Sequence, residues 1–224
     1  MFESDFILRL VQQLTQALAR ILGRRAAGEE DQLEEELDEF TRTGFGMSLE
    51  LLASMRDDEL FQLIVRDHHA DYERLALLAR ILYERSQSTR AACVGEPAWS
   101  RKALRILAAL GESGHTEAQT EHRQAFRVLL AAHDTGAPAM SVLHDLWLGY
   151  EAVGDFARAE DKLYALVATA PEDYVDAGQA FYQRLLTRDD DTLENGGLPR
   201  DEVQEGLERW QRTHVHLSRE SVDK

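Results

Sequence analysis

Histidine beside aspartate is the pairing in this chain with the most chemistry to offer, and it occurs twice, as His133-Asp134 and His144-Asp145. An imidazole and a carboxylate can share a divalent cation, and a cation of that kind can assist phosphoester hydrolysis when a further His and a distant Asp complete its shell. Here His115 or His122 would supply the first ligand and Asp161 or Asp173 the last. Adjacent residues on a helix point about 100° apart, so a pair alone does not define a metal site. His133 has a simpler use at a helix end before the turn Asp134-Thr135-Gly136, where a cation is favoured by the helix dipole.

The other chemically suggestive stretches reduce to local structure. Asp67 and Asp71 in Asp67-His68-His69-Ala70-Asp71 share a helical face, but the segment reads as a helix start with Asp67 as its cap. Asp189-Asp190-Asp191 with Asn195 and Gly196 fails the calcium-loop pattern, because Glu194 stands where the sharp turn needs glycine. Gly44-Phe45-Gly46 lacks the third glycine and the strand of a dinucleotide fingerprint and is read as a turn. Cys93 has no helper nearby, and His214 and His216 would need ligands from outside the chain. No nucleophile constellation emerges, and no metal or cofactor is expected.

The elements that would have to position any such residues are helices. Between Leu143 and Pro171 the residues Leu143, Leu146, Tyr150, Gly154, Ala159, Leu163 and Pro171 have the spacing of a tetratricopeptide repeat, in which two helices close around a tight turn. Leu143, Leu146 and Tyr150 form one apolar stripe, Gly154 permits the reversal, and Ala159, Leu163 and Leu166 form the facing stripe. Asp155 is placed to cap the second helix. Trp147 and Leu166 stand where the repeat usually has small residues, which predicts a splayed or re-angled pair. A separate stripe of the first helix, Ser141, His144, Leu148 and Glu151, is the candidate protein-binding groove, unless the preceding or following helices cover it.

Composition narrows the classes further. The chain has 224 residues, 44% hydrophobic and 29% charged, with a formal net charge of −16 and a pI near 4.9. Such a surface lacks the basic face that releases counterions from phosphates, so nucleic acid is not an expected partner. A single cysteine excludes an internal disulfide and fits a reducing, cytoplasmic setting. The amino terminus lacks the basic start of a signal peptide, and no stretch approaches the roughly 18 consecutive apolar residues of a membrane span. No membrane association is expected.

No alternating strand pattern occurs, so the expected fold is all-α: a long amino-terminal amphipathic helix, tetratricopeptide-like hairpins stacked as a short α-solenoid, and a carboxy-terminal capping helix. An amino-terminal helical region is placed at 1–66 and a repeat region at 67–224, sharing one core. The first helix, about Ser4 to Ala27, has Phe6, Ile7, Leu10, Val11, Leu14, Leu18, Ile21 and Leu22 on one face. Residues 1–28 carry +2 and the remainder −18, so this helix is expected to dock on its own repeats, with homodimerisation through it as the alternative. Leu33, Leu37 and Phe40 follow Gly28 at the offsets that separate Ala159, Leu163 and Leu166 from Gly154, and Leu75, Leu78, Ala79 and Leu82 face Ala103, Leu107 and Leu110 as a third hairpin. The stretch Arg188–Gly197 is predicted to be a loop, and from Pro199 a last helix carries Val203, Leu207 and Trp210 on one stripe.

Three segments, Met1–Leu10, Tyr150–Leu166 and Gly196–Val203, together resemble an uncharacterised bacterial family with tetratricopeptide-like repeats. The resemblance implies helical repeats in a cytoplasmic bacterial protein and brings no activity, substrate or catalytic residue. The functional expectation is a non-enzymatic scaffold or adaptor for a protein or peptide partner. A metal-dependent phosphohydrolase using the His-Asp pairs is the enzyme alternative, and a structural homodimer the third.

Overall fold

Periodicity of 3.6 residues runs through the longer segments, and the computed structural model is correspondingly all-helical over residues 2–65, 69–87, 97–114 and 122–214, which are those it describes. The chain forms two compact units, residues 1–129 and 130–224.

In the first unit, α1 (Phe2–Ala27) and α2 (Glu30–Phe45) fold back on each other, followed by the short α3 (Leu49–Ser54) and α4 (Asp57–Ile64). The long α5 (His69–Ser86) and α6 (Pro97–Glu112) pair as a second antiparallel layer, and α7 (Arg123–His133) begins at the end of the unit. Along α1, Leu14, Ala17, Leu18 and Ile21 are buried, and the helix packs on α2 and α5. A buried carboxylate fastens the arrangement. Glu84 of α5 is 0% exposed, and it is bound by Arg80 Nη2 at 2.6 Å and by the guanidinium of Arg25 at the end of α1. A carboxylate in that position requires such partners, because an unpaired buried charge costs several kcal/mol. On the other side, Lys102 of α6 holds the corner between α3 and α4 by donating to the Met55 carbonyl and pairing with Asp57 at 3.1 Å. The expected facing stripes, Leu75, Leu78, Ala79 and Leu82 against Ala103, Leu107 and Leu110, are all buried.

The second unit contains α8 (Met140–Ala152), α9 (Phe156–Thr169), α10 (Pro171–Leu186), the short α11 (Asp190–Asn195) and α12 (Arg200–His214). Helices α8 and α9 close around Gly154, whose φ of 70° is the left-handed conformation that glycine accepts without strain. The Gly154 N–H donates to Glu151 O at 3.1 Å and the Asp155 N–H to Tyr150 O at 2.9 Å, the paired bonds of a Schellman turn. The turn between α1 and α2 repeats this pattern: Gly28 has φ 72°, its N–H donates to Arg25 O, and the Glu29 N–H to Arg24 O. After both glycines the residues at the same offsets, Leu33, Leu37 and Phe40 or Ala159, Leu163 and Leu166, are buried.

Two local expectations are corrected. Asp155 makes no side-chain cap for α9; the Ala157 N–H is taken instead by the Gly196 carbonyl at 3.1 Å, from a turn far along the chain. Arg188–Gly197 is not simply a loop, because Asp189 caps α11 within it, accepting from Thr192 N and Thr192 Oγ1 at 2.8 Å each. The segment Gly196–Val203 is thereby explained as structure. Gly196 approaches Phe156 so closely that a Cβ there would lie 2.8 Å from Cε2 of that ring, Leu198 is buried, and Arg200 donates to the carbonyls of Leu186 and Arg188.

Helix α12 covers α10 by inserting one large side chain. Trp210 is 1% exposed, donates from Nε1 to Val175 O at 3.0 Å, and lies edge-on to Tyr164 and Tyr182 with centroids 5.3 and 5.8 Å away. Gly178 on α10 leaves the space for its ring, and Gly206 on α12 does the same for Tyr182.

Candidate interaction site

The four residues expected to line a groove lie on α8, and α10 meets two of them, His144 and Glu151. Ser141 is exposed and His144 half-buried, whereas Leu148 is only 5% exposed. Glu151 accepts from Arg184 of α10 through two parallel bonds of 2.8 Å, the fork geometry that suits guanidinium and carboxylate. At the other end of the stripe, the His144 ring lies 5.8 Å from Tyr174 of α10 and 5.7 Å from Trp147, with Tyr174 and Trp147 6.2 Å apart. Thus α8 and α10 run in the same sense, joined by pairs 30 and 33 residues apart in sequence. Trp147, buried at 4% exposure, lies edge-on to Tyr174 of α10.

Tyr174 and Arg184 are the neighbours of this stripe that inspection of α8 alone does not find. They lie 30 and 33 residues beyond His144 and Glu151, on the helix after next.

No lysine or arginine occurs in α8, and Arg184 is the only one in α10. Burial raises the Tyr174 hydroxyl above its ordinary pKa, and the nearby charges of Asp173 and Asp145 add to that rise. Elsewhere in the unit Lys162 and Arg158 are engaged. Lys162 Nζ lies 2.6 Å from Asp134, and Arg158 stands over the Tyr150 ring at 5.6 Å and near Asp155. Burial, followed by its 3.0 Å hydrogen bond to Asp134, pushes the Tyr150 hydroxyl up to about 12.

The His-Asp pairs take structural positions. Asp134 accepts from Tyr150 and Lys162, tying the end of α7 to α8 and α9, and Asp145 is buried at 1% exposure on α8. His122 is buried edge-on to Phe126 in the first unit, Asp161 and Asp173 are exposed, and His115 lies outside the described residues. Among the described residues no group of three or more His, Cys, Asp or Glu side chains is arranged to hold a metal ion. Of the other segments considered, Asp71 is buried beside Arg74 at 3.3 Å, Gly46 ends α2 in the left-handed conformation, and Asp67, His68, Cys93 and His216 lie outside the described residues. Among the described residues no helix is long and apolar enough to cross a membrane.

The chain belongs to DUF6483, a family of unknown function, whose family model matches residues 1–214. No curated protein and no solved structure matches it.

Proposed function

We propose that this member of the family is a non-enzymatic, cytoplasmic protein–protein interaction scaffold, with tetratricopeptide-like hairpins stacked as a short α-solenoid and α12 as the cap. The observation that carries the reading is the relation of α8 to α10. Two helices running in the same sense, with a third folded back between them in sequence and residue pairs 30 and 33 positions apart, have the offset of consecutive repeats. The matching turns at Gly28 and Gly154 support the same reading from within each unit. Stacked hairpins offer extended helical surfaces for a polypeptide, with affinity from apolar anchors and specificity from placed charges. Homodimerisation through α1 is the alternative reading, although Leu14, Leu18 and Ile21 of its apolar face are already buried within the chain.

Affinity capture with the full chain under reducing conditions at physiological salt, followed by reconstitution from purified components, tests the proposal. A partner that is recovered reproducibly and binds again when purified is expected. Failure to reconstitute any complex counts against the scaffold reading.

A further inference from the structure

We propose that the face of α7 formed by Arg123, Gln124, Arg127 and Val128 docks an acidic helix of a partner polypeptide, one that presents two carboxylates four residues apart beside an apolar side chain. The inference rests on the scaffold reading and adds the chemical class of a partner and the place where it binds. In a chain with 41 Asp and Glu against 25 Lys and Arg, α7 alone among the described helices contains no acidic residue. Elsewhere in the first unit arginines find carboxylates: Arg20, Arg25, Arg42, Arg74, Arg80 and Arg85 each form an ion pair. Arg123 and Arg127 do not, and among the described residues no hydrogen-bond acceptor meets either guanidinium. Like charges four apart on a helix repel each other, so this pair weakens α7 until an anion lies against it.

Two features of the same face point to a polypeptide. Val128 is 47% exposed, one turn beyond exposed Gln124 and next to Arg127, and an apolar side chain among arginines is the composition of an interface anchor. Nε of Arg127 is buried, so the stem of this side chain already lies along the protein. Presenting its guanidinium to a partner therefore costs less side-chain entropy than ordering a fully exposed arginine. Two guanidinium groups four residues apart match two carboxylates four apart on a second helix, each able to take a forked pair. A phosphate polymer fits less well, because two cations release few counterions and the net charge of −16 repels a long polyanion. A short acidic helix feels mainly the face it touches, since physiological salt screens charges beyond about 8 Å.

Titration of the isotope-labelled full chain with an alanine-based helical peptide, bearing two glutamates four apart and a leucine beside them, tests the proposal through the arginine Nε–H NMR signals. Those of Arg123 and Arg127 should shift saturably while that of Arg42 stays in place, and the same peptide with lysine for glutamate should shift neither. Arg123→Gln combined with Arg127→Gln should weaken binding by about 3- to 20-fold, the range of two exposed ion pairs. Arg42→Gln, which removes an exposed arginine already paired with Asp38, should weaken it by less than about 2-fold, the residual expected of general charge alone. Equal losses in these two variants, or no saturable shift at Arg123 and Arg127, would overturn the proposal. So would peptide binding that appears only after Glu117→Gln with Glu121→Gln, which would make the chain's own carboxylates the occupants, or tighter binding of a thymidine oligonucleotide at the same signals. In each of those cases the scaffold reading would still stand or fall on reconstitution with its own partner.

Discussion

Replacing Gly178 with alanine should unfasten α12 from α10, and the size of the effect follows from three terms. A Cβ at position 178 would overlap the six-membered ring of Trp210, with even the third-nearest ring atom, Cη2, only 2.6 Å away. The ring has no free direction of retreat. It is 1% exposed, bonded from Nε1 to Val175 O, and packed edge-on to Tyr164 and Tyr182. Overpacking of this kind costs about 1–3 kcal/mol, and losing the indole hydrogen bond adds about 1 kcal/mol. Alanine returns about 1 kcal/mol of helix propensity, because Gly178 lies inside α10. The net destabilisation is about 1–3 kcal/mol, which for a unit of about 100 residues lowers Tm by about 5–20 °C.

Gly23→Ala provides the internal control. Gly23 is also inside a helix, but nothing lies within 4 Å of the Cβ it would gain, so only the propensity term remains and the protein should gain up to about 1 kcal/mol. Thermal and urea denaturation followed by circular dichroism compares the two. Trp210→Phe removes the part of the indole that clashes, so Gly178→Ala combined with it should cost less than the two single changes together. If Gly178→Ala melts at or above the wild-type temperature, as Gly23→Ala should, Trp210 is not seated on that glycine and the docking of α12 has been misassigned.

Three further outcomes are expected. Glu84→Ala should destabilise the first unit by about 3 kcal/mol, the lower end for breaking a buried pair because Arg25 is partly exposed, and should speed tryptic cleavage at the end of α1; unchanged cleavage would show that the Arg25–Glu84 contact does not hold that helix. Glu160 accepts from the Tyr182 hydroxyl at 2.5 Å, and burial raises its carboxyl more than this bond lowers it. A raised folded pKa contributes stability that is complete below the unfolded value and lost as pH rises through the folded one. Glu160→Gln should therefore gain stability relative to wild type between about pH 4 and pH 7, and a loss over that interval would contradict the assignment. Gly196→Ala should lower Tm by several degrees, since its Cβ would press on the Phe156 ring and lie 3.0 Å from Gly154 O; an unchanged melting curve would separate that turn from the cap of α9.

Helical periodicity made most of the fold legible. The apolar faces of α1, α2, α5, α6, α8 and α9 were each readable from 3.6-residue spacing, and the left-handed glycines at 28 and 154 from their place between two stripes. What escaped depends on residues distant in sequence. Gly196 completes the start of α9 through a backbone carbonyl about 40 positions away, a bond with no side-chain signature, so Asp155 seemed the natural cap. Helix α11 has only six residues, too few to display a period, and its aspartates resemble a turn until Asp189 is seen to cap it.

The candidate site was legible in part for the same reason. The stripe Ser141, His144, Leu148 and Glu151 lies on one helix, but its neighbours Tyr174 and Arg184 come from α10, 30 and 33 residues further on, and helical spacing within α8 carries no information about them. Trp147 carried the clue. A large ring at a position that usually holds a small residue needs a neighbour able to receive it, and Tyr174 of α10 is that neighbour.

Site-specific photo-crosslinking in living cells would test the scaffold function most directly. A benzophenone amino acid at exposed position 141 should join the full-length chain to one reproducible protein partner, while the same probe at exposed position 205 on α12 should not. Absence of any adduct at 141 beyond that seen at 205 would contradict an interaction surface where α8 meets α10 and, with failed reconstitution, the scaffold itself.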